Sequence, residues 1–267
     1  MKTILITGST DGIGKIAASL LLRMGLRVVL HARSADKLGQ VLSDLQVISG
    51  MPIPIGVVGD FTRLEDVEGI VDQLREKNVL PDVLINNAAV FKHERNILSS
   101  GFEETFQVNY LSPYFLTRLI LSLAASIDGM RVVNVASMAQ SGSIDFNNLM
   151  GEKRFDGYEA YALSKLANVL FTYKLHREYA SSGLAAVCLH PGVINTKLLQ
   201  SGWGAGGSST LLGAQRIVYA ATHALDNEII GKYLVNNLSA RSVALSYDQR
   251  VQDVLWNKSA SLLGLSG

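Results

Sequence analysis

The chain has 267 residues, 48% of them hydrophobic and 18% charged, with 24 basic against 23 acidic side chains. That balance, without a long block of one sign, argues against a nucleic-acid or anionic-membrane surface. A single cysteine, Cys188, excludes an internal disulfide and a cysteine-rich metal site, and it fits a reducing compartment. The length suits one large α/β domain over residues 1–267. Residues 1–7 read as a strand that begins at once, leaving no room for a signal peptide. The most hydrophobic later run, 16–30, is broken by Arg23, Gly25 and Arg27, too charged for a membrane span, so a soluble cytoplasmic protein is expected.

Short apolar runs at 3–7, 27–31, 53–58, 83–86, 131–136, 184–190 and 232–235 predict seven strands. Several are near-continuous Val/Ile/Leu, the composition of parallel strands covered on both faces. Helical patterns at 13–24, 34–49, 64–77 and 102–125 lie between them, and the run 158–179 has neither proline nor glycine. This alternation implies a doubly wound, Rossmann-type parallel sheet of about seven strands with helices on both faces. Ligands of such sheets bind beyond the carboxyl ends of the strands, so the residues following each strand carry the functional signal.

After the first strand comes Thr7-Gly8-Ser9-Thr10-Asp11-Gly12-Ile13-Gly14. Glycines in a strand-to-helix turn permit positive φ and close backbone approach, and the helix end offers N–H groups to a pyrophosphate. The spacing G-x3-G-x-G differs from G-x-G-x-x-G, and a tight turn that binds nothing is the alternative. After the second strand, His31-Ala32-Arg33-Ser34 has no acid before Asp36. An acid there selects NAD, whereas Arg33 with Ser34 suits the 2′-phosphate of NADP, so NADP(H) is favoured over NAD(H). After the third strand, Asp60 can accept from adenine with Phe61 beside the ring, although Asp60 or Thr62 also reads as a plain helix cap. Asn87, Ala88 and Ala89 then put small residues where the backbone passes a nucleotide, and Asn87 can equally tie strands together.

Asn109 sits in an otherwise helical run, where its side chain competes for backbone hydrogen bonds, so it marks either an exposed position or a local distortion able to hold a water. Ser137 ends the fifth strand and can donate to a substrate oxygen. Pro191, Gly192 and Val193 end the sixth sharply, leaving backbone groups for an amide, and Thr196 is within reach of a phosphate. Tyr161 and Lys165, four apart on the glycine-free helix, share one face. A phenol ordinarily ionises near pH 10, and a nearby cation favours the phenolate, which would let the pair move a proton near neutrality. Histidines 31, 93, 176, 190 and 223 have no metal-ligand spacing and are read as structural or exposed; no metal is expected. Residues 197–215 contain the glycine-rich stretch around Trp203, read as a substrate lid or, alternatively, as a surface loop.

Taken together these motifs resemble the short-chain dehydrogenase/reductase family. The resemblance is nearest to its retinol-dehydrogenase-like reductases, through Asn147-Asn148-Leu149, Gly151-Glu152-Lys153-Arg154, the stretch from Tyr161 to Phe171, and His190-Pro191-Gly192-Val193. Gly231-Lys232-Tyr233 and Leu255-Trp256 add support. The resemblance implies an NAD(P)-dependent oxidoreductase, a carbonyl reductase in kind, with Tyr161 as general acid/base and Ser137 polarising the substrate oxygen. Lys165 would bind the nicotinamide ribose and lower the tyrosine pKa, and Asn109 would support a water-mediated relay. Gly8, Gly12 and Gly14 would form the phosphate loop, Asp60 would face adenine, and Asn87 with Ala88 would border the nucleotide. The usual Asn-Asn-Ala-Gly ends here in Ala89, and the usual Ser-Ser is Ala136-Ser137. Membrane-bound members carry a leading anchor, and their retinoid chemistry in a membrane is not expected to carry over. Homo-oligomers through flank helices are common in the family. A dinucleotide-binding regulator without turnover and an NAD-linked alcohol dehydrogenase are the alternatives on the same fold.

Overall fold

The Val/Ile/Leu runs fold as strands buried on both faces, and in the computed structural model, which describes residues 1–46, 53–204, 206–224 and 228–265, they make one sheet. Its order is β3-β2-β1-β4-β5-β6-β7-β8. The strands are β1 (Thr3–Ile6), β2 (Arg27–Ala32), β3 (Ile55–Val58), β4 (Val83–Asn86), β5 (Arg131–Val135), β6 (Ala185–His190), β7 (Tyr233–Val235) and β8 (Leu238–Ala240). The first seven run parallel, and the chain reverses direction of progress between β1 and β4, so a crevice opens there above the strand ends.

The prediction of seven strands needs one addition. β8 returns antiparallel on β7 through Asn236 and Asn237, both at positive φ (53° and 67°). That is the backbone of the tight hairpin turn whose twist matches the strands it joins, and asparagine tolerates it. The strand expected at 53–58 starts later, at Ile55, and of the helix expected at 34–49, positions 47–49 lie outside the described residues.

Helices α1 (Gly12–Arg23), α2 (Ala35–Gln46) and α8 (Thr210–Thr222) cover one face, packing Ala17, Leu21, Leu22, Leu38, Val41 and Ile217 on Ile4, Ile6, Val28 and Leu189. The other face carries α3 (Leu64–Glu76), α5 (Ser112–Leu123), α6 (Gly157–Tyr179) and α9 (Gln249–Leu262), with Ile70, Tyr114, Phe171 and Trp256 in a second core. The short α7 (Lys197–Trp203) lies above the strand ends.

The single helix expected over 102–125 is instead three pieces: one turn, α4 (Glu104–Phe106), a π-helical turn at Gln107–Leu111, and then α5. Pro113 supplies a reason. It has no N–H to give to the carbonyl four residues back, on Asn109, and that carbonyl accepts from Asn168 Nδ2 at 3.1 Å instead.

On the α5/α6 face of the sheet a buried polar chain runs from β4 to β5. Asn86 Nδ2 donates to Asn134 Oδ1 (2.8 Å) and Thr117 Oγ1 (3.1 Å), and Asn134 Nδ2 donates to Thr172 Oγ1 (2.8 Å). These bonds pin β4 and β5 to α5 and α6, and so fix the strand ends from which the site is built.

Candidate active site

Above the β1–β4 crevice lies a cavity of about 660 Å³. Its wall takes in nearly every segment the sequence singled out: Gly8, Thr10, Gly12, Ile13 and Gly14; Arg33; Asp60 and Phe61; Asn87, Ala88 and Ala89; Ser137; Tyr161 and Lys165; Pro191, Gly192, Val193 and Thr196. Thr7 binds the first of these segments to the fourth, its hydroxyl accepting from Asn87 N (2.9 Å) and Ala88 N (3.0 Å). Asn87 Nδ2 donates back to the carbonyls of Thr7 (2.8 Å) and Gly8 (3.2 Å), which is the strand-tying role.

The glycines are required by this closeness. Gly8 has φ of +63°, and a Cβ there would stand 2.9 Å from Ala88 Cα; on Gly14 it would stand 2.3 Å from the Gly8 carbonyl oxygen. The result is a bare backbone cradle ending in the first turn of α1, where N–H groups have no intrahelical acceptor, and such a cradle fits a pyrophosphate. Arg33 stands exposed on the wall after β2, and the sequence beyond it offers no acid until Asp36. Asp60 holds the turn after β3, its Oδ1 accepting from Thr62 N (3.0 Å).

At the other end Tyr161, Ser137 and Lys165 come together. Tyr161 is only 6% exposed, and burial pushes its phenol up to about 12, an effect the hydrogen bond with Ser137 offsets in part. Lys165 lies 5.4 Å from the Tyr161 ring centre and donates to the Val135 carbonyl at 3.0 Å; burial holds its ammonium down, at about 8. The expected lowering of the tyrosine pKa by Lys165 therefore does not prevail in this structure. Loss of hydration is the larger effect and the Ser137 hydrogen bond the smaller, opposing one, and the phenol is a proton donor at neutral pH.

Ser137, at the second position of Ala136-Ser137, is held by three neighbours, and the residue after it by a fourth. Its carbonyl accepts from Tyr233 Oη (3.0 Å) and Gln140 Nε2 (2.8 Å), its hydroxyl accepts from Ala139 N (3.1 Å), and the next amide, Met138 N, donates to His190 Nδ1 (3.2 Å).

Three of the predicted residues lie elsewhere. Ser9 is fully buried behind the cradle, its hydroxyl donating to the His31 carbonyl and accepting from the His31 N–H (2.9 Å). Ser34 stays outside the cavity wall at the start of α2, where its carbonyl accepts from Leu38 N. Asn109 does mark a distortion, the π-helical turn, but it is buried and off the wall. Its side chain is engaged with Val90 N (2.7 Å), Val90 O (2.9 Å) and Ser164 Oγ (3.0 Å). It positions the loop after β4.

Two histidines without any motif spacing also serve the cavity. His31 Nδ1 accepts from Gly8 N (3.1 Å), its Nε2 faces the Gly59 carbonyl (2.8 Å), and its ring stacks on Phe61 at 4.8 Å. His190 lines the wall beside Ser137. Burial lowers both, to about 4, so both are neutral acceptors at pH 7. Their positions directly at strand ends were the available signal. Cys188 is core, as expected, with its thiol pushed up to about 12 by burial.

Over Tyr161 lies Trp203, the last residue of α7. Their ring centres are 5.2 Å apart, Phe91 is 5.0 Å from the Trp203 ring, and Tyr158 is 6.0 Å from it. The segment is anchored by His93 Nε2 against the Ser201 carbonyl (2.6 Å) and by Asn195 N donating to the Ser208 carbonyl (3.0 Å).

The sequence profile described as short chain dehydrogenase matches residues 2–203. The chain belongs to the short-chain dehydrogenase family. Mouse retinol dehydrogenase 14 is 32% identical over 290 residues, covering 99% of this chain and 86% of that protein. Human polyprenol dehydrogenase is 31% identical over 282 residues, covering 99% and 86%. The crystal structure of an uncharacterized protein from Mycobacterium paratuberculosis superposes with a TM-score of 0.81 at 29% identity, covering all of this chain and 94% of that one. A short chain dehydrogenase from Burkholderia cenocepacia, solved with NADP, shares the fold (TM-score 0.69, 21% identity, 87% and 95% covered). This short-chain dehydrogenase is thus an NAD(P)-dependent oxidoreductase of the retinol-dehydrogenase-like group. Among the described residues no helix is long and apolar enough to cross a membrane.

Proposed function

We propose that this enzyme transfers a hydride between NADP(H) and the carbon of a carbonyl or alcohol, with Tyr161 exchanging the proton on the substrate oxygen. The supporting observation is the convergence of Tyr161, Ser137 and Lys165 at one end of a cavity whose other end is the glycine cradle. The nicotinamide, when bound, supplies or accepts the hydride. Everything else falls to the chain. Ser137 donates to the substrate oxygen and holds it beside the phenol. Tyr161, protonated at neutral pH, gives its proton to the oxygen as the carbonyl is reduced, which favours reading the enzyme as a carbonyl reductase. Lys165, buried and carrying its charge at pH 7, stabilises the phenolate left behind and is placed to hold the nicotinamide ribose.

Gly8, Gly12 and Gly14 with Ile13 and Thr10 would cradle the pyrophosphate. Arg33 would take the 2′-phosphate, and Asp60 with Phe61 would border the adenine. Asn87, Ala88 and Ala89 would line the middle of the dinucleotide, and Pro191, Gly192, Val193 and Thr196 would meet its amide end. Residues 197–215 form the lid, with Trp203, Phe91 and Tyr158 making an aromatic wall for an apolar substrate. The names of the relatives, for retinol and polyprenol, suit an apolar alcohol or its carbonyl counterpart. A cytoplasmic setting fits the lone buried thiol.

NADPH oxidation across a panel of aldehydes, ketones and quinones tests the reading. Tyr161→Phe is expected to lose at least about 100-fold in kcat, the typical contribution of a positioned acid, while NADP+ affinity is retained. Full turnover by Tyr161→Phe would refute the assignment. Replacing Arg33 with Ala should weaken NADP+ at least about 10-fold more than NAD+.

A further inference from the structure

Among the described residues three Lys or Arg side chains line the cavity: Arg33, Lys165 and Lys197. Arg33 follows β2 at the adenosine end, and Lys165 is committed beneath Tyr161. Lys197 stands at the glycine cradle. It is the first residue of α7, and its Nζ reaches Asp11 Oδ2 at 2.6 Å across 186 residues of sequence. The two segments face one another closely, since a Cβ on Gly12 would lie 3.6 Å from Thr196 Cγ2.

Asp11 caps α1, its Oδ1 accepting from Gly12 N at 2.8 Å. It thus puts a carboxylate beside the position where the cradle invites a pyrophosphate. A like charge there repels the ligand unless a cation stands between them. The Lys197 side chain is 85% exposed and that of Asp11 63%, and an ion pair so open to water is weak and readily exchanged. A pyrophosphate oxygen is a charged acceptor of the same kind, placed in addition against the first turn of α1.

We propose that Lys197 is a cofactor-binding residue: its ammonium leaves Asp11 for the pyrophosphate of the bound dinucleotide, and the exchange couples cofactor binding to the aromatic lid. The coupling follows from α7 itself, a seven-residue helix with Lys197 at one end and Trp203, 5.2 Å from the Tyr161 ring, at the other. Cofactor binding then resets the wall against which the substrate packs. The inference rests on the dinucleotide reading of the cavity.

The test is calorimetric titration of NADP+ and NAD+ into the wild-type protein, Lys197→Met and Asp11→Asn. Lys197→Met keeps the stem and the helix, and it should weaken both nucleotides about 10-fold, the lower end for a hydrogen bond to a charged group. Asp11→Asn retains a capping side chain and removes the competitor, so it should tighten both. Unchanged affinity in Lys197→Met would overturn the proposal. So would a loss confined to NADP+, which would put Lys197 on the 2′-phosphate, or an equal loss in Asp11→Asn, which would make the pair structural only. Acrylamide quenching of the tryptophan signal that disappears in Trp203→Phe reads the lid. Saturating NADP+ should shift it in the wild type and leave it at the nucleotide-free value in Lys197→Met. The same shift in both proteins would refute the coupling. Matching nucleotide-free melting curves guard against a folding defect. Wild-type protein that bound neither nucleotide would sink the reading of the cavity itself, and this inference with it.

Discussion

His31 shows how much of the site is decided by a single side chain whose chemistry a sequence does not reveal. Its ring accepts from Gly8 N, faces the Gly59 carbonyl and stacks on Phe61, so three of the cavity's segments meet on one imidazole. The ring can accept at Nδ1 only while neutral, and burial keeps it so by lowering its pKa to about 4 from the ordinary 6.5. In the unfolded chain the same ring binds a proton near 6.5. Between pH 6.5 and 4 the unfolded state therefore carries the extra proton, and His31 contributes stability that is complete above 6.5 and lost as pH falls to 4. The amount is about 3 kcal/mol for this group. His190 adds a loss of the same sign over the same range. Urea midpoints measured from pH 7.5 to 4 should fall through that window, and His31→Gln should show a shallower fall from a lower starting point. An unchanged slope in His31→Gln would show that the ring titrates normally. The sequence shows a histidine after a strand; that it accepts from Gly8 depends on the β1–β2 register, which brings Ser9 and His31 side by side.

At the scale of elements, the strands and most helices were legible because period and burial agreed. Residues 27–31 and 83–86 are runs that only a doubly covered strand can bury, and both fold as expected to within a residue. Where the reading failed, a short-range rule had been outvoted by a longer pattern. The apolar periodicity of 102–125 hid Pro113, which breaks the ladder at Asn109 and leaves a π-helical turn. Asn236-Asn237 is itself a hairpin signal, but it follows a parallel alternation that gives no hint of a returning strand, and β8 is legible only in the structure. Asn237→Val, a β-branched residue forced to φ near +67°, should lower stability by about 1–2 kcal/mol. The segment around Trp203 could not be read beyond its composition, because Trp203 meets Tyr161 only through the placement of α7. If that helix covers the substrate, Trp203→Ala should raise the substrate KM several-fold and weaken NADP+ by a smaller factor, because the ring meets Tyr161 and Phe91 directly and the cofactor only through α7. Equal loss on both would show that the tryptophan serves the cofactor end as well.

At the scale of the whole molecule, the last helix settles what lies against the flank. The α5–α6 face of such a sheet is apolar, and α9 of the same chain lies on it. Trp256 packs against Tyr114 (5.1 Å) and Phe171 (6.0 Å), with Arg118 over its ring at 4.8 Å. The Tyr114 hydroxyl donates to the Trp256 carbonyl (3.2 Å), and Tyr110 Oη shares a hydrogen with Ser259 Oγ (2.8 Å). Both phenols are buried, so each polar tip has its partner in α9 while the ring stays in the core. Because α6 also carries Tyr161 and Lys165, the covering helix and the site share one support. That support is long, 23 residues, and the polar chain from Asn86 to Thr172 holds its middle to the sheet independently of α9. Stability and site geometry should therefore separate. Trp256→Ala removes a ring only 5% exposed and is expected to cost about 3–5 kcal/mol, seen as a lower urea midpoint. NADP+ affinity in the folded fraction should match the wild type, because the cavity wall contains no α9 residue. Truncation before Asp248 should go further, uncovering Tyr110, Tyr114 and Phe171 and driving self-association visible by light scattering. A truncated chain that stayed dispersed with an unchanged melting temperature would mean that α9 contributes nothing to the core beneath it.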